Sequence, residues 1–362
     1  MDLVLDILDT FLFDRVYSTL LPTSGDTSHN GNHIYNQAIS EYTPLEASEW
    51  VDQSLLQRSN LLRQTISLFI IAWCFPPSLP CLPSRHPPKH LTNEPRLFGT
   101  LVYLTTSTLS FIFIFDKKSL THPKFLTRQI PLELRTALSA IPIMAALTVP
   151  FFLLEVRGYS RLYSTTSSAP FPLYNILQYP LFIAFTDMAI YWIHRYEHHP
   201  SIYKWLHKRH HRWIVPTPYA SFAFHPVDGW AQSVPYHVFP FLLPLEKRAY
   251  LGLFGFVTVW TVFIHDGEYV TRSAIINGSA CHTYHHLYFN YNYGQFTTLW
   301  DRLGGSYREP DPDLFDPKTK MGKKQWDKQV AEMEKIVREV EGIDERAYVD
   351  ENSEGKVVEK DE

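Results

Sequence analysis

The sequence predicts an all-α integral membrane protein of about four transmembrane helices, with a histidine-rich metal-binding cap at one membrane surface. Two observations carry this expectation. Long apolar runs are segregated from charged segments, although the mean hydropathy is only -0.16. Twelve of the 17 histidines fall between His194 and His286, and eight of these form three clusters. The clusters read His194-Arg-Tyr-Glu-His198, His207-Lys-Arg-His210-His211 and His282-Thr-Tyr-His285-His286. Spacings of three and four place ring nitrogens on one helix face, where they can converge on a metal.

Composition narrows the class. A chain of 362 residues forms one large domain or two small ones. Phe, Tyr and Trp make up 15% of it, and the formal charge of -4 gives no case for a nucleic-acid partner. Cys74, Cys81 and Cys281 are too few and too irregular for a disulfide framework. Cys281 adjoins the third cluster, but eight histidines already supply a full ligand set.

In chain order, residues 1–22 mix Asp2, Asp6, Asp9, Asp14 and Arg15 with apolar positions. That pattern fits an interfacial amphipathic helix and lacks the unbroken apolar run of a secretory signal. Residues 22–50 read as loop. Ile66–Phe75 is too short to span alone, whereas Leu97–Phe115 is just long enough. Between them Pro76–Pro95 holds seven prolines. Joining Phe75 to Gly99 would restore a smooth apolar helix, so 76–98 reads as an atypical insertion or a gene-model artefact, with a loop between paired segments as the alternative. Thr136–Val156 is the next span, its Pro142 and Pro150 being tolerable in a membrane helix. Leu173–Ile193 follows and runs into His194. Pro235–Leu245 and Ala249–Ile264 suggest a hairpin, or one span with an interfacial piece.

Segment 116–135 carries Lys117, Lys118, Lys124, Arg128 and Arg135, which favours the cytoplasmic side. Two spans later His194 returns to that side, so the cap is expected to face the cytosol. Lys323–Val340 has helical spacing with pairs such as Glu334 and Arg338, and 341–362 reads as disordered. The closing Glu-Lys-Asp-Glu is not a luminal retention signal. The expected division is 1–60 as an interfacial and loop region, 61–317 as the membrane domain and 318–362 as a charged cytosolic tail.

Eight neutral imidazoles exceed the needs of one tetrahedral zinc and suit two ions with open positions. Imidazole alone does not name the metal. Iron is expected because a nitrogen-rich site facing lipid suits oxygen activation against unreactive C–H bonds. His265, at the end of an apolar segment, is a candidate ninth ligand. His225 is a further candidate, His199 points about 100° away from His198, and His237 lies in an apolar stretch. Asp187 sits seven residues before His194 inside a span, where an ionisable group needs a partner. It is expected to accept a bond from a ligand imidazole, with Asp228 and Asp301 as candidates for the same work. Asp266 and Glu268 adjoin His265, and Glu268 is a candidate partner for a substrate hydroxyl.

With these residues in view, the chain resembles the membrane-bound fatty acid hydroxylase/sterol desaturase superfamily, and within it the fungal Delta7-sterol C5-desaturases. All eight histidines of the superfamily pattern are present. The closer likeness rests on Tyr191-Trp-Ile-His-Arg195, Trp213-Ile-Val-Pro-Thr-Pro-Tyr-Ala220 and Ser221-Phe-Ala-Phe-His-Pro-Val-Asp-Gly229. It continues through Ile264-His-Asp-Gly267, His285-His-Leu-Tyr-Phe-Asn-Tyr-Asn-Tyr-Gly294 and Leu299-Trp-Asp-Arg-Leu-Gly-Gly305, and spans about residues 1–310. The departure is the interval around 76–98.

The resemblance implies a four-helix bundle in the endoplasmic reticulum with a cytosolic di-iron cap. It further implies O2 as co-substrate and electrons from NAD(P)H through cytochrome b5 and its reductase. The substrate would be a Delta7 sterol drawn from the membrane lipid, desaturated at C5 and C6 on the route to ergosterol. Sterol C4-methyl oxidation or another lipid hydroxylation is the nearest rival, since substrate placement alone can redirect the same ligands. An inactive sterol-binding scaffold predicts missing histidines, and none is missing. A zinc protease predicts His-Glu-x-x-His, and Arg195 follows His194.

Overall fold

An apolar segment in lipid must satisfy its own backbone hydrogen bonds, and a helix does so within one segment. The long apolar runs are accordingly helical in the computed structural model, which describes residues 5, 8–22, 54–74, 98–269, 272–320, 322–344 and 346–348. Residues 23–53, which include nearly all of the loop expected at 22–50, the interval 76–97 with Cys81, and the tail beyond 348 lie outside the described residues.

A π-helical turn, Asp9–Phe13, leads into α1, Asp14–Leu20. α2 is Leu61–Cys74, α3 is Phe98–Phe113 and α4 is Gln129–Val156. α5 is Tyr174–Glu197 and α6 the single turn Pro200–Tyr203. α7, Pro226–Leu242, and α8, Lys247–Ile264, follow one another through a short turn, the hairpin of the two alternatives, with α7 beginning nine residues before Pro235. α9 is Ser279–Tyr288, α10 Leu299–Leu303, α11 Pro317–Lys320 and α12 Lys323–Val340. The all-α expectation misses one small feature. β1, Leu162–Tyr163, pairs in parallel with β2, Leu245–Glu246, tying the start of α8 to the segment before α5.

Among the described residues three helices are long and apolar enough to cross a membrane, namely α4, α5 and α8. Of the expected span Leu97–Phe115, the described residues show 16 in α3, fewer than the roughly 20 that cross a bilayer core. At the end of α3 Lys117 folds back: its Nζ donates to the carbonyls of Phe111, Ile112 and Phe115. α4 runs for 28 residues with Pro142 and Pro150 inside it.

Packing follows from the faces these helices bury. Phe182 and Ile190 of α5, Tyr236 and Phe239 of α7, and Leu253 and Val257 of α8 share one core with Phe296. A second core joins Tyr103 of α3 and Ala137 of α4 to Trp213, Ala220 and Val262. Outward faces stay apolar, with Ile143, Ile176, Leu251 and Phe256 exposed, as a lipid environment demands. The N-terminal turn shows the same inversion. Asp9 and Asp14 point inward, where Arg63 Nη2 reaches them at 2.8 and 2.5 Å, while Phe11 and Leu20 face out.

Four element ends gather at one end of the bundle: the C-termini of α5 and α8 and the N-termini of α4 and α7. The cap above them has its own core, in which Met333 and Val337 of α12 pack with Leu287 and Tyr288 of α9. Residues 341–348, expected to be disordered, are in part built into this cap. The Tyr203 hydroxyl donates to Glu341 at 2.8 Å, and Arg346 Nη2 donates to the His211 carbonyl at 3.1 Å.

Candidate metal centre

Each histidine cluster is delivered by a different local structure. His194 occupies the last turn of α5, and His198 is its C-terminal cap residue. His207, His210 and His211 lie in consecutive turns held by i to i+3 and i+4 backbone bonds rather than in a regular helix. His282, His285 and His286 are on α9, and His265 caps the C-terminus of α8. Glu133 braces the segment beyond the second cluster, accepting from Thr217 Oγ1, from Thr217 N at 3.3 Å and from Gln129 Nε2 at 2.7 Å.

The nine histidines fall into two groups. One is His194, His198, His207, His211 and His285, and the other is His210, His265, His282 and His286; within each group the donor nitrogens lie within 4.8 Å of one another. The i, i+3, i+4 triplets are therefore divided between the groups. On a helix, residues i and i+4 point within about 40° of each other while i+3 diverges by about 100° from i+4. His282 and His286 accordingly share a group and His285 joins the other.

Hydrogen bonding fixes the ring tautomers. His194 Nδ1 meets the Tyr293 carbonyl at 2.9 Å, His285 Nδ1 that of Tyr291 at 2.8 Å, and His265 Nδ1 that of Thr261 at 2.7 Å. A carbonyl only accepts, so these nitrogens carry the proton. His207 Nδ1 likewise meets Asp228 Oδ2 at 2.8 Å. Their Nε2 lone pairs point inward. His194 Nε2 and His207 Nε2 are 3.1 Å apart, His211 Nε2 and His285 Nε2 3.0 Å, and His265 Nε2 and His282 Nε2 2.9 Å. In the His194–His207 pair both Nδ1 hydrogens are committed outward, so the facing Nε2 lone pairs repel unless a cation lies among them, and the donor set fits metal ions. Burial first, and then the neighbouring imidazoles, hold the pKa values of His198, His210, His211, His282, His285 and His286 well below the ordinary value. Neutral rings are the ligating form.

The carboxylates sort differently from expectation. Asp228 holds a ring of the cluster, as above. Asp187 does not bond an imidazole: Oδ1 accepts from the amides of Gln295, Phe296 and Thr297 at 3.2, 2.7 and 3.3 Å. Seven residues of helix place it about 10 Å deeper than His194, level with this loop. Asp301 also grips the loop, accepting from Tyr293 N and Gly294 N at 2.8 Å each. Both act on His194 only through the Tyr293 carbonyl. Asp266 Oδ1 accepts from Glu268 N at 2.8 Å, and Glu268 accepts from Asp116 N at 3.2 Å beside Lys320. Glu268 thus ties the segment after α3 to Lys320 and belongs to neither nitrogen group.

His225 caps α7 through Val227 N at 3.3 Å, and His199 caps α6 through Ser201 N at 3.4 Å; neither joins a group. His237 is buried further along α7, with Nδ1 3.4 Å from the Tyr250 hydroxyl. Cys281 is buried and outside both groups, its thiol pushed up to about 12 by burial. Sequence reasoning missed Glu197 and Gln232. Glu197 Oε2 is 3.9 Å from His207 Nδ1, and Gln232 Nε2 bridges Glu197 and Asp228 at 2.9 and 2.8 Å. The available signal was Glu197's place inside the first cluster.

Comparison with known proteins gives a consistent result. The family model described as fatty acid hydroxylase matches residues 179–306. Two Delta(7)-sterol 5(6)-desaturases of Aspergillus fumigatus are 57% and 53% identical, each over 96% of this chain and over 98% and 97% of their own lengths. A probable Delta(7)-sterol 5(6)-desaturase of Neurospora crassa is 52% identical over 96% of this chain and 97% of its own. No solved structure matches.

Proposed function

Since the chain belongs to the Delta(7)-sterol 5(6)-desaturase family, we propose that it removes one hydrogen each from C5 and C6 of a Delta7 sterol. The observation that carries this reading is the set of inward Nε2 lone pairs whose Nδ1 partners are carbonyls and one carboxylate. His194, His198, His207, His211 and His285 would hold one iron, and His210, His265, His282 and His286 the other. Bound there, the iron pair supplies the activation of O2 that an unreactive C–H bond requires.

The protein's own residues do the rest. The Tyr293, Tyr291 and Thr261 carbonyls and Asp228 orient four rings and keep their inward nitrogens bare. Burial of most of the rings excludes water from the cluster. In the balance, the sterol gives up two electrons and two protons, NAD(P)H together with one solvent proton supplies two further electrons and two further protons, the electrons passing through cytochrome b5 and its reductase, and O2 leaves as two waters.

We read α4 and α5 together with the two helices of the α7–α8 hairpin as the four spans of an endoplasmic reticulum protein, the hairpin returning the chain to the cap. The basic segment 116–135 argues for a cytosolic cap. Division into an N-terminal interfacial region 1–60, a membrane domain 61–317 and a charged tail 318–362 accompanies this reading.

The test is the sterol profile of cells lacking their own C5-desaturase, supplied with this chain or with its His210→Ala variant. The expected result is 5,7-diene sterols with the intact chain alone. Persistent Delta7 sterols with a well-expressed chain would overturn the reading, and accumulation of C4-oxidised sterols would replace it.

A further inference from the structure

His198 is the one histidine of the two groups that is only partly buried. Its ring lines a cavity of about 620 Å³, whose other walls include Trp192, Ile193, Arg195, Tyr196 and Tyr293. That volume lies within the roughly 300–1,000 Å³ typical of small-molecule sites. With the other eight rings buried, this is the open approach to the nitrogen cluster among the described residues.

Two features point to a ligand that arrives from lipid. Leu181, Ala184, Met188, Trp192 and Tyr196 recur at spacings of three and four along α5, forming one outward stripe. Leu181, Trp192 and Tyr196 are exposed, and the stripe ends at the cavity mouth. Trp and Tyr at that position suit the membrane–water boundary. The second feature is Tyr293, whose ring centroid lies 4.9 Å from that of His198 and 5.5 Å from those of His194 and His285. It stands between the cavity and the rings of His194 and His285, beside the His198 ring that the cavity reaches directly. On the same wall, Arg195 Nη1 donates to the Tyr191 hydroxyl at 2.6 Å and to the Gly304 carbonyl at 2.7 Å. These bonds fix the guanidinium while engaging one of its three nitrogens.

We propose that this cavity is where the sterol reaches the metal centre from the bilayer, its ring system held by Trp192, Tyr196 and Tyr293 and its hydroxyl within reach of Arg195. The inference rests on the desaturase reading and adds the substrate's route and contacts. Flat aromatic walls match a rigid, planar ring system, and a cavity open toward lipid leaves the sterol's side chain in the bilayer.

The experiment uses the full chain in microsomes from cells lacking their own C5-desaturase, with a Delta7 sterol carrying a diazirine on its ring system. Photolabelling should fall on residues 192–199 or on Tyr293, and unlabelled Delta7 sterol should compete it away. Tyr196→Ala, at an exposed position, should raise KM on the order of tenfold with a smaller change in kcat and unchanged iron content. Label elsewhere in a chain that still converts sterol overturns the proposed route alone. Neither conversion nor competed label overturns the desaturase reading, and the route with it.

Discussion

His194 and His207 meet Nε2 to Nε2 at 3.1 Å, each with its Nδ1 hydrogen committed outward, to the Tyr293 carbonyl and the Asp228 carboxylate. With both rings in the neutral form that ligates metal, neither can donate to the other, and a cation among the nitrogens makes the contact favourable. Asp228 is the charged half of this arrangement. Asp228→Asn keeps an acceptor for His207 but removes the charge that strengthens ring basicity. Iron affinity should fall about 10- to 100-fold. Metal analysis after dialysis against graded chelator measures this, and unchanged retention would sink the assigned role.

His265 and His225 make a matched pair of tests, because both are cap residues but only His265 joins a nitrogen group. His265→Ala should lose iron from the second group and abolish sterol conversion. His225→Ala removes only a helix cap, costing about 1 kcal/mol, and should keep its iron. Equal iron content in the two variants would contradict the division.

The loop at residues 293–297 is held from two sides by Asp187 and Asp301. Asp301→Ala leaves the amides of Tyr293 and Gly294 without their acceptor, at a cost of roughly 1–3 kcal/mol. In a chain of 362 residues that lowers Tm by about 1–2 °C per kcal/mol. Gly294→Ala should act on the same loop, because a Cβ there collides with the Thr297 carbonyl oxygen and crowds Asp301. Thermal unfolding in detergent checks both variants, and an unshifted Tm for Asp301→Ala would show that the carboxylate is not holding the loop.

Much of this site was legible because its chemistry is local. Spacings of three and four name the histidines, and length and apolarity name α4, α5 and α8. What sequence could not supply is depth. Asp187 shares a helix face with His194, yet a rise of about 1.5 Å per residue carries it to a backbone loop more than 100 residues away in sequence. The partners of the outward ring nitrogens were equally hidden, since the carbonyls of Tyr291, Tyr293 and Thr261 belong to residues with no metal-binding character. Lys117, read from the sequence as a topology signal, also serves the free carbonyls at the end of α3, a role its charge alone does not announce. Residues 341–348 look like a solvated tail by composition. The long-range partners of Glu341 and Arg346, on Tyr203 and His211, are what bind them to the cap.

The cap should also weaken in acid through a residue remote from the histidine groups. His122 is buried against Trp326, with ring centroids 5.1 Å apart, and its Nδ1 accepts from Lys124 N at 3.1 Å. Burial, with a smaller contribution from Lys124, pushes its pKa down to about 4 from an ordinary 6.5. The folded protein therefore holds it neutral at a pH where the unfolded chain takes up a proton. Stability from this group is fully present above pH 6.5, is lost as the pH falls toward 4, and changes no further below. The full loss is on the order of 3 kcal/mol. His122→Asn keeps an acceptor for the Lys124 amide and removes the titration. Unfolding followed at pH 7, 5.5 and 4 should show a steeper decline for the native chain than for the variant. Parallel declines would place the acid sensitivity elsewhere, because only the native chain carries an imidazole at this position.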